Sequence, residues 1–323
     1  MAAKKYLASG AAGHRSQAYS LSINALVRMN DLDGAVETAR AMLHELPYDG
    51  EAAYAMQFLK TYLVQAVDPR ALPFATEEHA GLVEALKSGS TLKSLHGGAV
   101  MGVGALYASG MQLALLQRYA GDAQGAERTV GELEEAVAKS PSLTAPDVQW
   151  MGAVRKQYGL IGHVLPAMEA RGITSGAALR KFASDPGFVT IVMVFPDYCP
   201  QCVKTVVGMK EFAGEHAAAK VHGYGLVVRE DMGAAEPESW KELKGTTLLA
   251  VDTGVAQTLG AVDYPLFVVT DEHGVVYFVG TVPANAFVPN GFMEQTIGRI
   301  VGETAVMRNA VGGKAKQVGK KPN

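Results

Sequence analysis

The chain has 323 residues, 48% of them apolar, and a formal net charge of −3. That length and apolar share can bury a substantial core and allow two domains of ordinary size, whereas the slight negative balance argues against a nucleic-acid binder, which needs a clustered positive field. With only two cysteines, no disulfide scaffold can form, and stability must come from packing.

The start, Met1-Ala-Ala-Lys-Lys, is basic, but His14 and Arg15 arrive before any apolar core of adequate length, so no secretory signal is read. Two compartments fit that reading: the cytoplasm, or an extracytoplasmic (periplasmic) space if a signal segment has been removed.

Up to about residue 170 the chain reads as helices. Apolar residues recur at three- and four-residue spacing in Ala35, Val36, Ala39, Met42, Leu43 and Leu46, and again in Val130, Leu133 and Val137. Pro47, Pro69, Pro73 and Pro141 punctuate these stretches. From Gly97 to Gln117 there is no Asp, Glu, Lys or Arg, a length that can span a bilayer. Five glycines, Ser109, Gln112 and amphipathic flanks favour a closely packed buried helix over a membrane span. Trp150 and Trp240 read as packing residues, and His163 as a core or groove residue of an apolar helix.

Two segments of this half look alike: Asn30-Asp-Leu-Asp-Gly-Ala35, followed by Pro47, and Gly121-Asp-Ala-Gln-Gly-Ala126, followed by Pro141. They resemble the latter part of a tetratricopeptide repeat, in which the chain turns between paired helices and the alanine lets them cross closely. The resemblance implies an all-α helical-repeat or bundle domain over 1–170. Such a domain builds a surface for a partner or dimer contact and carries no chemistry of its own.

After residue 170 the pattern changes. An amphipathic helix is expected over 177–183, then a turn at Ser184-Asp-Pro-Gly187. Apolar runs of strand length follow at 188–195, 221–228, 247–251, 266–270 and 275–280. Helices are expected between them at 201–218, 237–244 and 253–259, with a closing helix over 291–301. Buried strands alternating with helices indicate an α/β layer fold. Asp271-Glu-His-Gly274 is a hairpin signal that sets the last two strands antiparallel. The Gly-rich end carrying Lys314, Lys316, Lys320 and Lys321 reads as a disordered basic tail over 306–323.

Both cysteines lie in Phe195-Pro-Asp-Tyr-Cys-Pro-Gln-Cys202, directly after the first of these strands. A strand running into Cys-x-x-Cys at a helix start has a chemical use. The unpaired N–H groups and partial positive charge of the helix N-terminus stabilise a thiolate at Cys199, and the thiolate is the attacking species in disulfide exchange. The spacing brings Cys202 within reach to resolve the mixed disulfide, and Pro200 fits the first helical turn, where its missing N–H costs little. A zinc site needs four ligands, and His216, His222 and His273 show no ligand spacing. Two inert buried thiols remain as the bland alternative, which this strand–loop–helix position disfavours.

Downstream, Gln257-Thr-Leu-Gly-Ala-Val-Asp-Tyr-Pro265 leads into Phe267-Val-Val-Thr-Asp-Glu-His-Gly-Val-Val276. Together with the cysteine motif, these segments resemble the thioredoxin fold, specifically thiol–disulfide oxidoreductases of the TlpA/ResA type. The resemblance implies a thioredoxin-like α/β domain over 171–305, a central mixed sheet flanked by helices, preceded by the all-α domain. It also implies a cis Pro265 beside the cysteines and a substrate groove formed by Tyr198, Pro200, Gln201, Tyr264 and Pro265, with Cys199 as nucleophile and Cys202 as resolving thiol. The cofactor expected is none beyond the Cys199–Cys202 couple, and the partners are a protein disulfide or dithiol and a reductant or oxidant protein.

Several positions depart from that family's pattern. Tyr198 stands where Trp is usual, and Met193 where thioredoxins proper keep a buried Asp. Glu230 and Asp231 are candidates to assist deprotonation, although a solvated loop is the plainer reading of both. Tyr264 is bulkier than the usual residue before the proline. No His adjoins Cys202, which leans the direction towards reduction of the partner. The competing reading is a helical-repeat binding module whose thioredoxin-like domain is non-catalytic. A peroxide-reducing enzyme is disfavoured because Pro196 occupies the place of its usual Thr.

Overall fold

The computed structural model describes residues 2–9, 13–46, 50–65, 68–87, 103–138, 144–172, 179–230, 247–282, 286–289 and 291–302. The chain divides into two compact units, Met1–Met151 and Gly152–Asn323. The expected helix at 237–244, the basic tail, Trp240 and Asp231 lie outside the described residues.

The first unit is all helical. It holds α1 (Ala2–Ala8), α2 (Arg15–Arg28), α3 (Leu32–Glu45), α4 (Gly50–Gln65), α5 (Ala71–Lys87), α6 (Val103–Tyr119), α7 (Ala123–Ala138) and most of the first half of α8 (Ala145–Leu160). α3 forms because Leu32, Ala35, Val36, Ala39 and Met42 make one buried stripe, packed with Ile23, Leu26, Met56, Leu59, Leu63 and Phe74 in a single core. Of the uncharged stretch, only the part within α6 is described. Among the described residues, no helix is long and apolar enough to cross a membrane.

The two look-alike segments build the same turn. Asn30 and Gly121 both have positive φ, 58° and 84°, and the next N–H closes onto a carbonyl five residues back, Asp31 onto Leu26 and Asp122 onto Gln117. Each aspartate then accepts from the glycine N–H three residues on, Gly34 at 3.0 Å and Gly125 at 2.8 Å, which caps the second helix. A side-chain carbon at Gly34 would sit 2.6 Å from Asp31 Oδ2, and one at Gly125 closer still to Asp122, so the caps leave room for glycine only. Ala35 and Ala126 follow, both wholly buried. The shared spelling is therefore the spelling of a capped helix hairpin.

The second unit is a mixed sheet with helices. Its strands are β1 (Met168–Gly172), β2 (Arg180–Phe182), β3 (Val189–Pro196), β4 (Val221–Val228), β5 (Thr247–Val251), β6 (Leu266–Thr270) and β7 (Val276–Gly280). They lie in the order β2-β1-β5-β4-β3-β6-β7. β3, β4 and β5 run parallel, while β6 pairs antiparallel with β3 and with β7. The parallel strands need crossovers: α9 (Pro200–Glu215) and a 3-10 turn, Ala217–Ala219, lie between β3 and β4 in the chain. α10 (Thr253–Thr258), capped by the Asp252 carboxylate on the Val255 N–H at 3.0 Å, and α11 (292–302) complete it. β3 is buried along its whole length, as a central strand covered on both faces must be.

Three expectations are corrected. No helix covers 179–183: β2 pairs there antiparallel with β1, Met168 opposite Phe182, so Phe182 is buried by the sheet rather than by a helix face. β1, unread in the sequence, hides in Met168-Glu-Ala-Arg-Gly172, where Met168 and Ala170 point in and Glu169 points out. His163 is exposed in a turn after α8, because that helix stops at Leu160 and Gly162 takes φ 82°. The end of α8 and its sequel bond within the second unit: Gln157 Nε2 donates to the Gly260 carbonyl at 2.7 Å and Leu165 N to that of Gly274 at 2.9 Å.

Candidate active site

The site is built where β3 ends. Pro196 is the last residue of the strand, Asp197 and Tyr198 form a turn, and the Cys199 N–H closes it by donating to the Pro196 carbonyl at 3.2 Å. Cys199 is the N-cap of α9, and its carbonyl accepts from the Cys202 N–H at 3.1 Å. Pro200 opens the helix, where a proline lacks only an N–H that would be unpaired anyway. Gln201 is exposed.

Cys199 and Cys202 are joined by a disulfide, with sulfurs 2.06 Å apart and α-carbons 5.3 Å apart. Their surroundings differ. Cys199 is partly exposed at the helix start, whereas Cys202 is wholly buried one turn in. Tyr198, beside Cys199, is 79% exposed, an unusual share for a tyrosine and one that leaves its ring open to a partner.

β6 brings the second segment to the same place. Val194 of β3 is opposite Leu266 of β6, so extending that antiparallel register by one and two residues sets Pro265 against Phe195 and Tyr264 against Pro196. The Tyr264–Pro265 peptide is cis. Tyr264 and Pro265 are both partly exposed. Partial burial, and then the neighbouring Tyr198, push the Tyr264 phenol above its ordinary range. The structure thus gathers Tyr198, Cys199, Cys202, Tyr264 and Pro265 at one end of the sheet.

Within β3, Met193 is wholly buried between Gly225 of β4 and Phe267 of β6. It supplies no group able to take a proton. Glu230 is exposed. The three histidines weighed as ligands lie apart from one another in function: His216 Nδ1 donates to the Phe212 carbonyl at 2.9 Å, His222 Nδ1 meets the Asp185 carboxylate at 2.5 Å, and His273 is an exposed hairpin residue. Among the described residues no group of three or more His, Cys, Asp or Glu is disposed to hold a metal.

One pair at this end went unread in the sequence. Arg229, the residue after β4, has a side chain only 5% exposed, and its Nε approaches Asp197 Oδ2 at 3.5 Å. The one available signal was its place directly after an apolar strand.

No protein-family model matches the chain, and no curated protein is similar to it. Solved structures resemble part of it. A protein named as a thiol:disulfide interchange protein DsbE from Chlorobium tepidum is 18% identical, covering 44% of this chain and 97% of its own, with a TM-score of 0.37. An exposed lipoprotein thioredoxin from Streptococcus pneumoniae is 16% identical over 42% of this chain and 99% of its own, TM-score 0.33. A secreted disulfide oxidoreductase from Mycobacterium tuberculosis, described as homologous to the DsbE of E. coli, is 17% identical over 42% and 95%, TM-score 0.31. By its own topology the chain is a thioredoxin-like α/β unit, a mixed sheet with flanking helices, preceded by an all-helical unit.

Proposed function

We propose that the protein is a thiol–disulfide oxidoreductase that exchanges the Cys199–Cys202 couple with a protein partner. The observation that carries this reading is the unequal exposure of two bonded cysteines at a helix N-terminus, Cys199 partly exposed and Cys202 wholly buried. An attacking thiol needs access and thiolate character, which the start of α9 supplies. A resolving thiol needs only to reach the first sulfur.

The exchange follows from that arrangement. With the pair reduced, the Cys199 thiolate attacks one sulfur of a partner disulfide, forming a mixed disulfide and releasing the other partner sulfur as a thiolate, which takes a proton. Cys202, having lost its proton to solvent, then attacks Cys199 Sγ, restoring the Cys199–Cys202 bond and releasing the second partner sulfur as a thiolate, which takes up a proton in turn. Two electrons pass to the partner, and the protein dithiol is oxidised. A separate reductant protein must return the couple to the dithiol; in the opposite direction an oxidant protein takes that place. The absence of a His beside Cys202 favours the reducing direction.

Tyr198, Pro200, Gln201, Tyr264 and Pro265 form the proposed partner groove, in which the Tyr264 backbone meets an extended segment. The helical unit supplies further protein contact: on α4, Tyr54, Gln57, Phe58, Thr61 and Tyr62 line a hollow of about 410 Å³. Trapping tests the reading. Cys202→Ser should accumulate mixed disulfides with partner proteins, and Cys199→Ser should not. Equal trapping by both variants would contradict it, and unaltered partner binding with both cysteines replaced would favour the non-catalytic binding module.

A further inference from the structure

Arg229 has no part in the exchange just described, yet it is a nearly buried cation at the reactive end of the sheet. Its backbone is clamped: Val228 pairs with Pro196 of β3 and with Val251 of β5, and the Arg229 N–H donates to the Val251 carbonyl at 3.0 Å. The guanidinium is therefore held level with the first residue after β3, which is Asp197. A buried guanidinium is costly to desolvate unless a counter-charge faces it, and Asp197 faces it from within the turn that the Cys199 N–H closes.

Asp197 lies two residues before Cys199, so their α-carbons are within about 7 Å by chain geometry alone. At that range an unpaired carboxylate would oppose a thiolate at Cys199, while an unpaired guanidinium on the same spot would favour it. The pair cancels both effects and ties the turn to β4.

We infer that Arg229 is a positioning residue for the cysteine couple, acting through Asp197: it neutralises that carboxylate beside Cys199 and holds the turn that presents the sulfur. The inference rests on the oxidoreductase reading for its purpose, but its physical content is a statement about one thiol. It gives the two halves of the pair opposite effects. Loss of Arg229 alone leaves an anion by Cys199 and disfavours the thiolate. Loss of the Asp197 charge alone removes an anion from beside Cys199 and favours the thiolate.

The experiment uses the full chain, reduced and desalted, and follows iodoacetamide alkylation of Cys199 against pH by mass spectrometry. In Arg229→Met the midpoint should rise by about one pH unit, in Asp197→Asn it should fall by about as much, and in the double variant it should return to near the wild-type value. Arg229→Lys, which keeps the charge, should stay near wild type. Shifts of the same sign in both single variants, or no shift in either, would overturn the inference, because a merely structural role loosens the turn in one direction. If Arg229→Met does not fold, Asp197→Asn decides alone: a lower midpoint supports the inference, and an unchanged or higher one overturns it. Alkylation does not depend on turnover. A wild-type protein that fails to reduce a disulfide would therefore remove the oxidoreductase reading and leave this result standing.

Discussion

Lys60 donates from Nζ to Glu78 Oε2 at 2.8 Å, with 3% and 2% of the two side chains exposed, in the interior of the helical unit. The Ser109 hydroxyl donates to the same oxygen at 2.6 Å and lies 3.3 Å from His79 Nδ1, so the network ties α4, α5 and α6 together. Two buried charges satisfy one another here, and removing one leaves the other unpaired in a medium of low polarity. Glu78→Gln or Lys60→Met should cost about 3–5 kcal/mol, read from the denaturant midpoint. The double variant with apolar residues should recover much of that loss.

His79 sets a pH window for the same unit. Burial holds its imidazole below the ordinary histidine value; the Lys60 cation adds a smaller push in the same direction, and Glu78 and Glu132 oppose it. A depressed folded value means that the unfolded chain takes up the proton first. Stability from this group is present above the unfolded value, about 6.5, and falls as pH drops towards the folded one. The thermal stability of the wild type should therefore fall as pH drops below about 6.5, and His79→Gln should flatten that slope. An equal slope in the variant would assign the loss to other groups.

The paired turns of the helical unit predict equal and independent effects. Asp31→Ala and Asp122→Ala each remove a cap that accepts a glycine N–H, and each should cost about 1 kcal/mol. The two turns belong to different helix pairs, α2–α3 and α6–α7, so the double variant should lose about the sum, measured by chemical denaturation.

In the sheet, Gly225 lies where a side chain has no room: a carbon there would sit 2.5 Å from Leu248 Cδ2 and 3.2 Å from the Phe195 ring. Gly225→Val should overpack this layer and destabilise the α/β unit by about 1–3 kcal/mol. Because Phe195 precedes the cysteine turn, exchange at Cys199 should slow in the same variant. Far-ultraviolet melting and alkylation kinetics check the two effects separately.

Much of the α/β unit was legible because its strands are continuous apolar runs; β3, β4, β5, β6 and β7 fall within a residue or two of where the runs place them. β1 and β2 were not, since Met168-Glu-Ala-Arg-Gly172 and Arg180-Lys-Phe182 are short and broken by charges, with no apolar run to mark them before they pair with each other. The helical stretches spoke through burial stripes, but His163 misled because apolar neighbours extend past Leu160, where Gly162 ends the helix. At the site, the cysteine motif marks itself by spacing and position. Arg229 does not, because its partner Asp197 is 32 residues away in sequence and only strand register brings them level.

The central claim is that Cys199 attacks and Cys202 resolves. Reduction of insulin by dithiothreitol, with catalytic amounts of wild type and of Cys199→Ser, tests it most directly. The wild type should accelerate the reaction, and Cys199→Ser should fall to the uncatalysed rate. Full activity in Cys199→Ser would contradict the account.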